Sequence, residues 1–212
     1  MTLGERVVRR FRYGKPIIVV SGLPRSGTSM MMNMLDSGGM PVLTDGIRSS
    51  DDSNPRGYFE YEPVKELDKD GDRSWVLLAR GKAVKIISFL LTWLPETCDY
   101  RVVFMQRDLD EIIASQNQML ARRGEPAGAA DTTMHNVYAE HLQEMERFLA
   151  RRRCFRTLPV SYRDVVDDPE RQAWRIKDFL DRSLDVARMA AAVDRQLYRN
   201  RRGDPGGPAP KG

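Results

Sequence analysis

The stretch IIVVSGLPRSGTSMMMNML, Ile17 to Leu35, does most to limit what this chain can become. Four apolar residues run into Gly22-Leu-Pro-Arg-Ser-Gly27, and a methionine-rich helical pattern follows at once. A continuous β-branched run marks a strand buried on both faces, as in parallel sheets covered by helices. A glycine-rich turn between such a strand and a helix presents backbone N–H groups at a helix N-terminus. That geometry binds phosphate or sulfate. The spacing from Gly22 to Gly27 matches the phosphate-binding loop. One part is absent. Thr28 stands where the loops of nucleoside triphosphatases carry the lysine that reaches the β- and γ-phosphates. Thr28 and Ser29 offer hydroxyls, no lysine lies between Lys15 and Lys65, and the loop's positive charge has to come from Arg25. Such a loop suits an anion with less charge than a metal-bound triphosphate. A sulfuryl group carried on a phosphate fits.

The rest of the chain repeats the strand-then-helix alternation. KAVKIIS, YRVVFMQ and FRTLPVSY are three further strand candidates. Helical patterns follow the first loop as far as Gly38-Gly39 and occupy YEPVKELDKD. They recur from Asp108 to Arg123, from Thr132 to Arg152, and after Asp168-Pro169, a capping residue followed by a proline suited to the first turn. Strands separated by helices at this spacing imply a three-layer α/β domain with a central parallel sheet flanked by helices, of the P-loop type. Ligands in such sheets bind beyond the carboxyl ends of the strands. At 212 residues one domain is expected over 1–200, with a disordered tail at 201–212. Segment 40–58 and the linker GEPAGAAD read as loops.

Three strings carry a family resemblance. LPRSGTS resembles the 5′-phosphosulfate loop of the sulfotransferases that use 3′-phosphoadenosine 5′-phosphosulfate (PAPS). On that resemblance Pro24, Arg25, Ser26, Gly27, Thr28 and Ser29 bind the donor. In YRVVFMQRDLDEIIASQ, Arg107 and Ser115 stand eight residues apart, as do the arginine and serine of the family's 3′-phosphate site. An arginine at a strand end and a serine two turns into the next helix can meet one anion. Taken alone, Arg107 reads as a helix-start charge paired with Asp108 or Asp110. TLPVSYRDVVDDPERQAWRIKDFL resembles the family's fourth-strand segment, which implies that Tyr162 lies near the adenine or the phosphosulfate. Arg163 replaces an acidic residue usual there. The likeness runs from about residue 16 to 181 and is closer to the bacterial and tyrosylprotein branch than to the cytosolic enzymes acting on phenols and steroids.

Sulfuryl transfer needs an acceptor stripped of its proton. The cytosolic branch uses a histidine in the strand before the 3′-phosphate arginine; here Lys85 remains, and Ile87 occupies the histidine position. His135 and His141 fall in the long helix and read as surface residues. Carboxylates are the better candidates: Glu60 in NPRGYFEYE, placed ahead of Asp45 in LTDGIR. Taken without the resemblance, Glu60 reads as a carboxylate capping a helix start. The acceptor is a small molecule or a peptide, and its pocket is expected from loops 40–60 and 124–131. Tyr58, Phe59, Tyr61 and Trp93 are candidates to line it.

The net charge of +4 favours anionic ligands mildly. The sequence leaves two other classes open: a P-loop nucleotide or small-molecule kinase, against which the missing lysine argues, and a non-catalytic basic protein binding anions or nucleic acid. The runs Arg9-Arg10, Arg151-Arg152-Arg153 and Arg201-Arg202 read as solvated faces, without the aromatic-basic pattern of an RNA module, so no nucleic-acid partner is expected. Neither a signal peptide nor a run of the roughly 20 apolar residues that span a bilayer is legible. Two cysteines without paired spacing imply reduced thiols, and the expectation is a cytoplasmic protein using PAPS and no metal.

Overall fold

Four parallel strands form the sheet: β1 (Ile17–Gly22), β2 (Ala83–Lys85), β3 (Tyr100–Gln106) and β4 (Phe155–Ser161), in the order β2-β1-β3-β4. The computed structural model describes residues 3–46, 59–69, 71–122, 124 and 131–194. All six residues of β1 are buried, as their apolar run requires. Gly22 is paired with Met105 and Ser21 with Phe104, so β1 and β3 end side by side.

Alternation along the strands sends side chains to two separate cores. Ile18, Val20, Val103, Met105 and Val160 face one side, covered by α2 (Thr28–Ser37), α5 (Tyr162–Asp167), α6 (Pro169–Leu180) and α7 (Val186–Ala191). Ile17, Val19, Val84, Val102 and Phe104 face the other. That side is covered by 3-10 helices at Glu62–Glu66, Ser74–Ala79 and Ser88–Trp93 and by α4 (Asp131–Arg151). Helix α3 (Leu109–Arg122) packs Ile112 and Ile113 against Leu23 and Tyr138. The three-layer α/β architecture with a parallel central sheet is therefore present.

Local signals account for the boundaries. Asp168 accepts the Arg171 amide at 3.1 Å, and Pro169 occupies the first turn of α6. Gly39, at φ 89°, turns the chain out of α2. The stretch expected to form a short helix from Tyr61 becomes a 3-10 helix with Pro63 in its first turn. Among the described residues three α-helices go beyond the sequence reading, α1 (Leu3–Tyr13), α5 and α7, as do the 3-10 helices Ser74–Ala79 and Ser88–Trp93. Tyr162 starts α5 rather than closing the fourth strand, because Ser161 caps the turn by accepting the Asp164 amide at 3.2 Å. Most of loop 40–58, the linker beyond Gly124, Tyr58, Arg201-Arg202 and the tail 201–212 lie outside the described residues. Among the described residues no helix is long and apolar enough to cross a membrane.

Candidate active site

The connection leaving β1 starts with α2 on one face and leads to β2 at one side of β1. The path from β3 includes α4 on the other face and leads to β4 at the opposite side. Two neighbouring strands whose connections diverge leave a crevice at their carboxyl ends, the place where open α/β sheets bind ligands. The loop after β1 and Arg107 after β3 flank that crevice.

The loop is shaped by close approach. A Cβ at Gly22 would stand 2.5 Å from Ser26 Oγ and 2.6 Å from the Met105 carbonyl oxygen. A Cβ at Gly27, φ 101°, would stand 2.4 Å from the Tyr162 ring. Both positions exclude any other residue, so the glycine spacing records packing as well as turn geometry. Arg25 holds φ 69°, a left-handed conformation that a side chain adopts at a cost. Ser26 is buried, and its hydroxyl has no hydrogen-bond partner among the described residues. An orphaned donor inside an anion-binding turn is the kind of group a ligand oxygen satisfies.

Around this loop the structure gathers the residues singled out by spacing. Arg25 Nε donates to Ser115 Oγ at 3.0 Å. Arg107 donates through one terminal nitrogen to the Arg25 carbonyl oxygen at 3.2 Å and through Nε to Glu111 at 2.9 Å. Its guanidinium stacks over the Tyr162 ring, 4.5 Å from the centroid. Arg107 thus pairs with Glu111, one helical turn on, a partner that spacing alone did not single out. Asp108 accepts the Asp110 amide at the start of α3. Burial raises the Tyr162 phenol above its ordinary value, with the nearby Arg107 opposing. The ring stays a neutral packing surface between loop and arginine.

A cleft of about 380 Å³ opens beside the loop. Pro24, Arg25, Thr28 and Ser29 form one wall, and Glu60, Lys65 and Lys85 stand among the residues of the other. Glu60 lies 3.7 Å from Lys85 Nζ and 3.5 Å from Lys65 Nζ. Lys85 closes β2, the strand next to β1, which is why a residue so far along the chain reaches the loop. Arg25 is the loop's own cation, but the cleft also holds these two lysines, and Lys65 was not singled out from the sequence. Gln116 and Met119 of α3 also line the cleft without having been marked as site residues; Met119 stands one helical turn, four residues, past Ser115.

Asp45 does not line this cleft. Its carboxylate accepts the Glu62 amide at 2.5 Å, at the start of the 3-10 helix. The capping role considered for Glu60 belongs to Asp45. Tyr61 lines the cleft and meets Trp75 edge-on, with ring centroids 5.4 Å apart. Phe59 packs on the first core, and Trp93 sits under Arg73.

The surface reading of His141 is corrected. Its Nε2 lies 2.8 Å from Ser88 Oγ, and its ring stacks on Phe89 at 3.8 Å. The polar face of α4 packs on the 3-10 helix after β2 there. His135 is exposed. Among the described residues no cluster of His, Cys, Asp or Glu could hold a metal ion. Cys98 and Cys154 are free and buried.

Three comparisons bear on this geometry. The model of the sulfotransferase family matches residues 75–185, just over half of the chain. The match includes Lys85, Arg107, Ser115 and Tyr162, and the loop at 22–29 lies outside it. No curated protein matches the chain. Among solved structures, a sulfotransferase domain from the curacin biosynthetic pathway is 15% identical, with a TM-score of 0.49, over 90% of this chain and 93% of that one.

Proposed function

Because the chain belongs to the sulfotransferase family, we propose that it moves the sulfuryl group of PAPS to a hydroxyl or amine acceptor by in-line displacement. The observation that carries this reading is the convergence of Arg25, Arg107 and Ser115 on the glycine loop, from the ends of two adjacent strands and the helix between them and α4. The residues present fit the donor. Gly22 and Gly27 let the loop pack closely on Met105 and Tyr162 at the start of α2, and the buried Ser26 hydroxyl lies in that turn. Bound there, the donor supplies an activated sulfuryl group on a good leaving phosphate.

In this reading the loop amides, Thr28 and Ser29 at the N-terminus of α2 hold the 5′ end, where the helix dipole favours negative charge. Arg25 faces the charge that grows on the leaving phosphate as the bond breaks. Arg107 and Ser115 hold the 3′-phosphate, and Tyr162 supports Arg107 from below. Glu60 takes the acceptor proton as the new sulfur–oxygen or sulfur–nitrogen bond forms. The ammonium groups of Lys65 and Lys85 stand beside it, at 3.5 and 3.7 Å. Lys85 belongs to both jobs, positioning Glu60 and adding positive charge at the cleft. The acceptor enters past Tyr61, Ile87 and Leu90, which make that side of the cleft partly apolar.

Sulfur-labelled PAPS, incubated with the chain and a panel of alcohols, phenols, amines and tyrosine peptides, tests the reading. Label on an acceptor, with release of adenosine 3′,5′-bisphosphate and no added metal, supports it. Transfer of phosphate from ATP, dependent on magnesium, overturns it in favour of a kinase.

A further inference from the structure

Helix α1 is seated by its polar side. An amphipathic helix on a protein surface normally turns its apolar stripe to the core. Here Arg9 is the anchor. It pairs with the Asp99 carboxylate and donates to the carbonyl oxygens of Arg153 at 2.7 Å and Cys154 at 3.3 Å. Tyr13, the next residue but three on that side, is buried. The opposite side holds Val7, Val8 and Phe11, which are 61%, 65% and 95% exposed. At 3.6 residues per turn Val7 and Phe11 stand one above the other with Val8 beside them, and Arg12 and Arg10 border the stripe on its two flanks. Both arginines are exposed.

We propose that this face of α1 docks the protein onto an anionic lipid surface. An apolar stripe bordered by arginines is the composition of a helix that lies in the headgroup layer, apolar side down and cations toward phosphate. Charge decides between the occupants. A second copy meeting this stripe about a two-fold axis would bring Arg10 and Arg12 against their own counterparts, a like-charge contact that a lipid phosphate turns into an attraction. Beside the stripe a cavity of about 550 Å³ is shared by Val7, Phe11, Arg10, Arg182 and the buried Arg101. Across the whole cavity four arginines face two aspartates, Asp99 and Asp181. The excess positive charge and the room for a headgroup adjoin the exposed Val7 and Phe11.

The position suits docking. Arg9 meets residues that precede β3 and β4, so α1 lies at the amino ends of the strands, while the cleft opens at their carboxyl ends. Strands of this length separate the two by roughly 20 Å. A membrane-docked molecule keeps its cleft open to water.

The test is co-sedimentation of the full chain with phosphatidylcholine vesicles, with and without phosphatidylserine. The wild type is expected to sediment with the phosphatidylserine vesicles only, and to be released by high salt. Phe11→Ser and the pair Arg10→Glu, Arg12→Glu should each weaken binding at least tenfold, at about fivefold per arginine lost. Their melting temperatures should stay near the wild-type value, since all three side chains are exposed and only Arg12 meets a buried residue, over the Tyr13 ring. Absence of binding to phosphatidylserine vesicles, or equal binding by wild type and Phe11→Ser, overturns the proposal. So does a dimer in sedimentation velocity that Phe11→Ser dissolves while vesicle binding is missing, because the stripe then belongs to a second copy.

Discussion

Arg25 and Ser115, 90 positions apart in the chain, meet at 3.0 Å beside the glycine loop. One comes from the turn after β1 and the other from the second turn of α3, after β3. Their contact exists because β1 and β3 are neighbours in register, Gly22 beside Met105, and their connections diverge. The contact joins the two halves of the proposed donor site, and the following outcomes depend on it.

Arg107→Ala should weaken adenosine 3′,5′-bisphosphate binding by about 1.5–3 kcal/mol, the worth of a hydrogen bond to a charged group. Adenosine 5′-phosphosulfate, which lacks the 3′-phosphate, should bind nearly as before. Titration calorimetry with both ligands separates the cases. Equal losses would assign Arg107 to holding Tyr162 and the Arg25 carbonyl in place.

Glu60→Gln should lower turnover by ~10²–10⁴-fold, the usual contribution of a general base, with donor affinity kept. Asp45→Asn should act on stability instead. It weakens the acceptor for the Glu62 amide, and removing such a cap altogether costs about 0.5–2 kcal/mol. Turnover and chemical denaturation of the two variants, measured side by side, check the assignment. A turnover loss in Asp45→Asn at unchanged stability would reverse it.

Gly27→Ala should fail twice over, through a Cβ 2.4 Å from the Tyr162 ring and a φ of 101°. The expected loss is roughly 1–3 kcal/mol of stability or donor binding. Adding Tyr162→Ala removes the clash but leaves the backbone strain, so the double variant should recover in part. Full recovery would show that the ring alone demanded the glycine.

Much of this was legible in the residues. The strand run, the glycine spacing and the eight-residue step from Arg107 to Ser115 are local signals, and each lies within one strand–turn–helix unit. The Glu60–Lys85 pair was not legible as a pair, because it depends on β2 lying beside β1, a fact about sheet order. The cap at Glu62 was hidden for a similar reason: that Asp45, and not Glu60, meets the Glu62 amide is decided by the path of a loop. His141 was misjudged because helix periodicity gives no hint that a polar side will meet the 3-10 helix after β2. Helix α1 inverts the usual rule, since one half-buried ion pair, Arg9 with Asp99, fixes its polar side inward.

His141 also sets a pH dependence of stability. Burial lowers its imidazole below the ordinary 6.5, with Glu144 partly opposing. The folded-state value is depressed, so as pH falls below about 6.5 the unfolded chain takes up a proton that the folded chain does not. Stability is present above that value and is lost as pH falls toward the lowered one. Thermal melts between pH 7.5 and 5.5 or so should show a decline that His141→Gln flattens. A decline of the same size in the variant would assign it to the carboxylates.

The most direct test of the account is a pair of calorimetric titrations on the wild-type chain, one with adenosine 3′,5′-bisphosphate and no metal, the other with ATP and magnesium. A loop with Thr28 in place of lysine, and with Arg107 and Ser115 set for a 3′-phosphate, predicts that the bisphosphate binds far more tightly. At about 100 times its dissociation constant it should stabilise the fold by about 2.7 kcal/mol. Tighter, magnesium-dependent binding of ATP would contradict the account.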